Sequence, residues 1–477
     1  NYTQTLLQLF IDRWAKPYYE YCEEKGLKFT GHYWEHEWPN MRNGGDNMAM
    51  YAWHQMPAID MLFNQWDDST ARAQFGNVRS VKELASAANQ TGRQRKMSET
   101  YGGAGWEMTF TEMKRNGDWE YALGVNMMNQ HLTYFSFAGA RKYDYPPSFD
   151  YHEPWWGNYK YINDHYARLS MALSAGKQLN DILVLEPTTS AWLYDSYAVR
   201  NTKVSEIGQA FQSFITTLEK KQVEYDLGSE NIIKDMGSVR NGKFIVGQCS
   251  YSTVVIPPMM ENLDIETYKL LEKFVSNGGR LVAFSLPSLV DGAPGEGLNE
   301  FLKKEAGSIN QQQSLTPEII SKYFADGNIS FSGLTGGDLY HHRRNLADGQ
   351  LLFLANSNLS GSLKGSVKIN GADAIEMNTM TGEITGYPNV RENGSISFPI
   401  DLPPAGSLLV FIPGIKNETY SVPSLPQNHE ILSPSSPLLV TRDNDNAIAI
   451  EFCDLLLGYE LTKDLHTYYA ADKVFKN

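Results

Sequence analysis

Short apolar segments alternate with amphipathic stretches over the first 173 residues of the chain. Strand character is found over 28–37, 59–64, 95–101 and 131–138, and helical patterns cover 81–88 and 112–128. A closing helix has one apolar face, formed by Ile162, Tyr166, Leu169 and Leu173. Repeated strand–helix units predict a parallel sheet. Four such units make half of an eight-unit barrel, so we assign residues 1–173 to half of a (β/α)8 barrel.

The pattern changes twice farther along the chain. Residues 174–300 predict a flavodoxin-like α/β domain, with strands over 181–187, 252–256 and 280–285, a helix capped by Ser205 and a helix over 265–276. Short strands separated by Gly, Asn, Asp and Pro then predict a β-sandwich over 301–420. Residues 421–477 read as a Ser- and Pro-rich linker and the start of a further β-sandwich. The predicted fold class is therefore multidomain, α/β followed by β-sandwich domains.

Composition limits the classes of function. The chain has 477 residues and a net charge of −14, which argues against nucleic acid as a partner. No apolar run is long enough for a membrane span. Three widely spaced cysteines predict neither a disulfide framework nor a zinc site. Phosphate-loop, dinucleotide and serine-hydrolase motifs are lacking. The chain opens in a helical pattern without an initiator Met or signal peptide, so we interpret it as a fragment.

The densest candidate cluster covers residues 30–40. If the strand pattern persists there, Glu35 and Glu37 point to the same side and could act as acid or base, or bind a metal. Solvated acids in a surface turn are the alternative. His32 and His36 share a face only in a helix, so a hard cation held by oxygens is favoured over zinc. Asp46 and Asn47 could supply oxygens or form an ordinary helix N-cap.

Two further clusters follow predicted strands. Glu99 ends one strand beside Tyr101, where a carboxylate could approach a sugar, and its alternative is a loop acid bonded to a neighbour. The loop over 150–156 carries Glu153 and Trp155 and resembles a subsite wall, or else a packing loop. Asn64 is a weaker candidate at a strand end. The basic run over 341–344 lies outside the barrel and is interpreted as structural.

The segments 30–39, 46–51, 55–64 and 98–102 resemble glycoside hydrolase family 106, the α-L-rhamnosidases. The resemblance implies that residues 1–173 are the C-terminal half of the catalytic barrel. It also implies inverting release of terminal α-L-rhamnose from plant or microbial glycans, a calcium ion near the sugar, and a periplasmic or secreted location. A molecule that started at Asn1 would lack part of the active site and could be inactive.

The resemblance implies glutamates at these strand ends as the acid and base. We expect the acid to be Glu35 or Glu37 and the base Glu99, about 6.5–9.5 Å apart, as inversion requires. The expected metal ligands are Glu35, Glu37 and Glu153. The expected substrate contacts are His32, Trp34, His36, Asn64, Tyr101, Glu153 and Trp155. Two alternatives stay open: a non-catalytic carbohydrate-binding barrel remnant and a β-galactosidase-like glycosidase, whose domain order is the same.

Overall fold

The structure is a computed structural model that describes residues 2–40, 42–62, 77–138, 141, 143–196, 201–305, 307–416, 419–423, 439, 441, 450 and 452–476. Asn64 lies outside the described residues. The first part of the chain forms one parallel sheet of four strands in chain order, β1-β2-β3-β4. Its elements are α1 Tyr2–Phe10, α2 Lys16–Lys25, β1 Thr30–Gly31, α3 Asn47–Tyr51, β2 Met56–Met61, α4 Val78–Thr91, β3 Met97–Thr100, α5 Phe110–Leu123, β4 Met127–Gln130 and α6 Tyr159–Ala172.

Two predicted strands of this part were wrong in their extent. β1 has only two residues, and the chain then turns into a 3₁₀ helix over Glu35–Glu37, whose first carboxylate accepts the backbone N–H of Tyr33. The fourth strand is not 131–138 but β4, because α5 ends at Gly124 and the chain enters the sheet at once. Gly124 has φ 131°, and a Cβ there would clash with Ala85 of α4.

Helix α5 begins in a capping box, in which Thr109 and Glu112 satisfy each other's backbone N–H groups. Position 117, inside this helix, must be glycine because the packing leaves no room for a side chain, and not because of the backbone conformation. A Cβ at Gly117 would overlap the ring and hydroxyl of Tyr166 on α6 and the end of Met128 on β4. The two helices therefore approach closely behind β3 and β4, and this fixes the strand ends that carry the site.

The second sheet has five parallel strands in the order β16-β13-β11-β6-β7. If these five strands are numbered 1 to 5 in chain order and read from the β7 edge, the order is 2-1-3-4-5. This is the flavodoxin-like order that the sequence pattern predicted. The helix N-cap predicted at Ser205 was wrong, because this helix begins at Thr202 and is capped by Asn201. The fifth strand lies beyond 300, the predicted end of this domain. The elements of this part are β5 Lys177–Gln178, β6 Ile182–Leu185, α7 Thr188–Trp192, α8 Thr202–Lys220, β7 Tyr225–Gly228, α9 Glu230–Met236, β8 Gly237–Arg240, β9 Lys243–Val246, β10 Cys249–Tyr251, β11 Thr253–Ile256, β12 Asn262–Leu263, α10 Ile265–Ser276, β13 Arg280–Ala283, β14 Leu289–Val290, β15 Ala293–Pro294, α11 Glu296–Lys304, β16 Ile309–Gln311 and α12 Pro317–Tyr323.

Two antiparallel sheets follow, ordered β17-β20-β24-β23 and β22-β21-β25-β19-β18-β5. Apolar side chains of both sheets, such as Val367, Phe398 and Val410, meet in one buried cluster, which is how two sheets pack in a sandwich. The strands are β17 Ile329–Thr335, β18 Leu339–Asn345, β19 Gly349–Asn356, β20 Leu363–Asn370, β21 Ile375–Met377, β22 Ile384–Gly386, β23 Val390–Glu392, β24 Ser395–Leu402 and β25 Ser407–Pro413.

The C-terminal residues form a hairpin and a helix. β26 Phe452–Leu457 pairs antiparallel with β27 Glu460–His466, and α13 Thr467–Lys476 follows. Within the described residues this segment does not form the second sandwich expected from the sequence. The segment returns to the first part of the chain, where His466 and Tyr468 contact the ring of Tyr143.

Helix α4 connects the two parallel sheets. It contacts β2 on one side and β7 on the other, and nearly all of its residues are buried. Its polar residues are paired there; Lys82, for example, lies 3.4 Å from Glu219 and over the ring of Tyr225. A large apolar cluster is therefore continuous from the first sheet into the second. None of the described helices has the length and apolar character needed to cross a membrane.

Candidate active site

Two carboxylates face the same side of the first sheet. Asp60 on β2 and Glu99 on β3 are direct partners in the parallel register, and Asn129 on β4 continues the row. Their strand neighbours Ser98 and Thr100 point the other way, towards α5, and are buried. Alternation along the strands therefore places Asp60 and Glu99 on the face that lines the inside of a β/α barrel, near the carboxyl ends of the strands.

His32 completes the cluster from the turn after β1. One nitrogen of His32 and one carboxylate oxygen each of Asp60 and Glu99 all lie within 4.8 Å of one another. Among the described residues, this is the one place where three or more side chains of metal-binding type bring their ligand atoms this close together. The nearby carboxylate of Glu35 is the main reason that the pKa of His32 rises to about 9, although partial burial opposes it. His32 is thus an imidazolium at neutral pH and faces two carboxylates.

Glu35 is a buried acid next to His32. Its side chain is 1% exposed, and its Oε1 accepts hydrogen bonds from the backbone N–H of Tyr33 at 3.1 Å and from the Tyr51 hydroxyl at 2.7 Å. Its Oε2 lies 3.8 Å from His32 Nδ1. A carboxylate held in this way has no open face for a substrate, so its contact with the site runs through His32.

Asp60 has an unusual environment for an acid. Burial raises its pKa to about 7, the nearby His32 opposes the shift, and the charges of Glu99 and Glu35 add to it. Asp60 therefore exchanges a proton near neutral pH. Asp60 was not predicted from the sequence. It is the single acid in the otherwise apolar strand Met56–Met61, and this could have marked it as a candidate.

Glu99 is partly exposed and has a histidine neighbour on the β4 side. Its side chain is 29% exposed, and its Oε1 lies 3.9 Å from Nε2 of His131, which follows β4. The ring of His131 in turn lies 6.0 Å from that of Tyr145. His131 was also missed, because the sequence pattern placed residue 131 at the start of a strand rather than at the end of one.

The structure separates the other predicted residues from this cluster. Glu37 accepts two hydrogen bonds from the side-chain amide of Asn43, at 2.8 and 2.9 Å. Because Glu35 and Glu37 lie in a 3₁₀ turn, the prediction that they point to the same side of a strand is wrong. Trp34 and His36 are exposed neighbours with rings 6.1 Å apart. They border the turn without contacting the carboxylates of β2 and β3.

Tyr101 and Asp46 are structural residues. Tyr101 was predicted to contact substrate, but it is 1% exposed and its hydroxyl donates to the Met113 carbonyl. Its φ of 78° turns the side chain inward, into the core behind the sheet. Asp46 caps α3 by accepting the backbone N–H of Ala49, which decides between its two predicted roles in favour of the N-cap.

A separate aromatic cleft lies beside the cluster. We use the name aromatic cleft for the cavity of about 1410 Å³ whose principal walls are Trp106, Tyr145, Glu153, Trp155, Tyr468 and Tyr469. Glu153 is 7% exposed, and its Oε1 is buried without a hydrogen-bond partner. Burial raises the pKa of Glu153 to about 7. Trp155 and Glu153 therefore belong to a wall of this cleft.

The predicted calcium ligands do not come together. Glu35 is buried behind His32, Glu37 is bonded to Asn43, and Glu153 lies in the aromatic cleft. Calcium takes six to eight oxygen ligands. The cluster offers one oxygen each from Asp60 and Glu99 and one nitrogen from His32, which is fewer oxygens than calcium takes. The described donor set therefore does not fit calcium by itself.

The chain is similar to known glycoside hydrolases. The sequence profile of glycoside hydrolase family 106, described as alpha-L-rhamnosidase, matches residues 1–386. A putative beta-glucuronidase from Formosa agariphila is 25% identical over 288 residues, covering 57% of this chain and 21% of that protein. The chain thus spans about a fifth of that relative's length.

Solved structures share the fold. A rhamnosidase from Novosphingobium sp. PP1Y superposes with a TM-score of 0.69 at 16% identity, over 90% of this chain and 41% of that one. Gan42B, a GH42 beta-galactosidase from G. stearothermophilus, superposes with a TM-score of 0.53 at 10% identity, over 86% of this chain and 68% of that one. At these identities the likeness concerns the fold alone.

Proposed function

Because the chain belongs to glycoside hydrolase family 106, we propose that the protein hydrolyses terminal α-L-rhamnosides at the cluster of His32, Asp60 and Glu99. The observation that carries the proposal is the meeting of two carboxylates and an imidazolium at the carboxyl ends of adjacent parallel strands. Barrel enzymes place their catalytic groups at this end. We take the four strands as half of the family's (β/α)8 barrel.

In the proposed reaction Glu99 is the general base. Its carboxylate is 29% exposed, so it can hold a water molecule and remove its proton as the water attacks the anomeric carbon. Asp60, which carries a proton for part of the time near pH 7, and His32 hydrogen-bond the sugar hydroxyls and keep the local charge close to neutral. Glu35 positions His32.

The general acid is assigned to neither Glu35 nor Glu37. An inverting pair stands roughly 6.5–9.5 Å apart to admit the water. Asp60 and Glu99 have oxygens within 4.8 Å of each other, which is too close for that pair. We therefore propose that the proton donor lies on a facing strand of the barrel that the four described strands do not include. Inversion, rhamnose in plant or microbial glycans as the substrate, and a periplasmic or secreted location form part of the proposal.

The test is the Glu99→Gln variant of the protein, assayed on an aryl α-L-rhamnoside. We expect kcat to fall at least ~10²-fold, the usual effect of losing a general base. Glu206→Gln, on the exposed side of α8, is the matched control and should keep its activity. Azide added to Glu99→Ala should restore turnover and give the β-configured rhamnosyl azide. Near-normal turnover of Glu99→Gln would rule out Glu99 as the base, and turnover of a β-galactoside but no rhamnoside would overturn the substrate.

Calcium is a further prediction, which rests on the family resemblance. Asp60 and Glu99 are the described oxygen donors that could contribute to its shell. We expect a chelator to lower the rate on the aryl rhamnoside and added calcium to restore it. We expect Asp60→Asn to bind calcium more weakly in a calorimetric titration. Full activity after metal removal, verified by elemental analysis, would contradict this prediction.

A further inference from the structure

We propose that the aromatic cleft binds the leaving group of the substrate, a pyranose sugar to which the terminal rhamnose is attached. This inference rests on the proposed function and adds a substrate class to it: rhamnosyl disaccharides and longer glycans rather than simple alkyl rhamnosides.

The position of the cleft places it next to Glu99. Tyr145 lines the cleft, and its ring lies 6.0 Å from the ring of His131. His131 Nε2 is 3.9 Å from Glu99 Oε1. Two side chains, His131 and then Tyr145, thus connect the proposed base with the cleft. A substrate whose rhamnose lies over Asp60 and Glu99 can extend past His131 into it.

The walls combine flat rings with one polar group that has no partner. Sugars present an apolar face of C–H groups, which stacks on aromatic rings, and a rim of hydroxyls. Tyr469 and Tyr468 supply rings from α13, and Trp106 and Trp155 supply rings from the loops after β3 and β4. Glu153 is nine-tenths buried, and its Oε1 lacks a hydrogen-bond partner. A wholly apolar ligand would leave this carboxyl group unsatisfied, whereas a sugar hydroxyl would satisfy it.

The size of the cleft agrees with more than one sugar ring. Pockets for small ligands commonly enclose about 300–1,000 Å³. The aromatic cleft, at about 1410 Å³, exceeds this range. It is therefore large enough for a pyranose ring and part of the chain beyond it.

The experiment compares three substrates. These are an α-L-rhamnosyl-glucose disaccharide, an aryl α-L-rhamnoside and methyl α-L-rhamnoside, which has no ring beyond the scissile oxygen. The variants are Tyr469→Ala, on an exposed part of α13, and the isosteric Glu153→Gln. We expect each to lower kcat/KM for the disaccharide at least ten-fold more than for methyl rhamnoside. Tyr161→Ala, an exposed tyrosine on α6 outside the cleft, is the matched control.

The outcomes separate this inference from the proposed function. If the unsubstituted protein hydrolyses none of the three rhamnosides, the proposed function fails. If it hydrolyses them and both variants change all three rates equally, the cleft proposal fails alone. A loss confined to the aryl rhamnoside would show that the cleft takes an aromatic leaving group instead. Calorimetric titration of Glu99→Gln with the disaccharide and methyl rhamnoside gives a readout without turnover, and equal affinities would overturn the cleft proposal.

Discussion

At the scale of single residues, the charge of the site depends on one buried acid. Glu35 keeps His32 protonated, with a pKa of about 9. Because the pKa of His32 in the folded protein exceeds its ordinary value of 6.5, this protonation contributes stability that is fully present below pH 6.5. The contribution is lost as the pH rises through about 9.

We predict that Glu35→Gln lowers the pKa of His32 by removing the largest cause of its rise. Titration of the His32 ring signals by NMR measures this directly. Tyr51→Phe is the control, since it removes the other side-chain hydrogen bond to Glu35 but leaves the carboxylate charge in place. The melting temperature of Glu35→Gln should fall below that of Tyr51→Phe most strongly at pH 6 and least at pH 9.5. An unchanged His32 pKa in Glu35→Gln would contradict the proposed positioning role.

Individual site residues could be predicted only where the sequence showed which side of a strand each residue faces. Glu99 was predicted as a site residue because it ends a recognisable strand, and the structure places it beside Asp60 in the strand register. Asp60 was missed although it is the register partner of Glu99, because pairing between strands cannot be deduced from one strand alone. Tyr101 was misassigned because its positive φ, which turns the ring into the core, leaves no mark in the sequence.

At the scale of elements, β18 connects the sandwich to the flavodoxin-like sheet through a buried ion pair. Arg343 Nε donates to Glu224 Oε1 at 2.8 Å, and His341 and Asp326 join the same network. Burial alone would raise the pKa of Glu224, but hydrogen bonds from Arg343 and His341 lower it to about 2. The basic run was interpreted as structural from the sequence, and these contacts agree with that interpretation.

Arg343→Met should destabilise the protein by about 3–5 kcal/mol at pH 7, because it leaves a buried carboxylate unpaired. The stability contributed by Glu224 is present above the ordinary pKa of a glutamate, 4.5, and is lost as the pH falls towards 2. The loss in Arg343→Met should therefore shrink in urea unfolding at pH 3. Arg391→Met, on the exposed strand β23, serves as control. A loss below ~1 kcal/mol at pH 7, or one that does not change with pH, would argue against this account.

The type of each long element could be predicted, and its ends could not. The flavodoxin-like strands are apolar runs buried on both faces, so periodicity and length identified them. The errors at β1 and β4 share a cause. Each end is decided by a contact distant in sequence or by a local turn, such as Gly124 against Ala85, rather than by apolar periodicity.

At the scale of the whole molecule, the buried apolar residues of the described part of the chain form two separate clusters. One is continuous through α4 from the first parallel sheet into the second, and the other lies between the two antiparallel sheets. The boundary predicted at residue 173 therefore divides a single core. The sequence does not show this, because helix α4 appears amphipathic in sequence and is buried on nearly all sides only in the fold.

We predict that the two parallel sheets open as one unit in hydrogen exchange. Leu183→Ala, in β6, should cost about 2–5 kcal/mol and lower amide protection in β2 and β3 as well as in β6. Phe398→Ala, in the second cluster, should cost about 3–5 kcal/mol and lower protection mainly in the strands of the antiparallel sheets. Protection in β2 and β3 that is unchanged by Leu183→Ala would show that the barrel half and the flavodoxin-like sheet unfold independently.

The aromatic cleft joins residues from two distant stretches of the chain. Its acid lies in the loop after β4, whereas two of its rings come from α13 at the C-terminal end. If the cleft binds the leaving group as proposed, the bond that is cut and the sugar that is released are specified by two different segments of the chain. Recombination within the gene can exchange one of these segments without the other. Exchange of the C-terminal hairpin and helix would change which glycans are accepted. The carboxylates of β2 and β3 would be unchanged. Related enzymes should then diverge faster in this tail than in those strands.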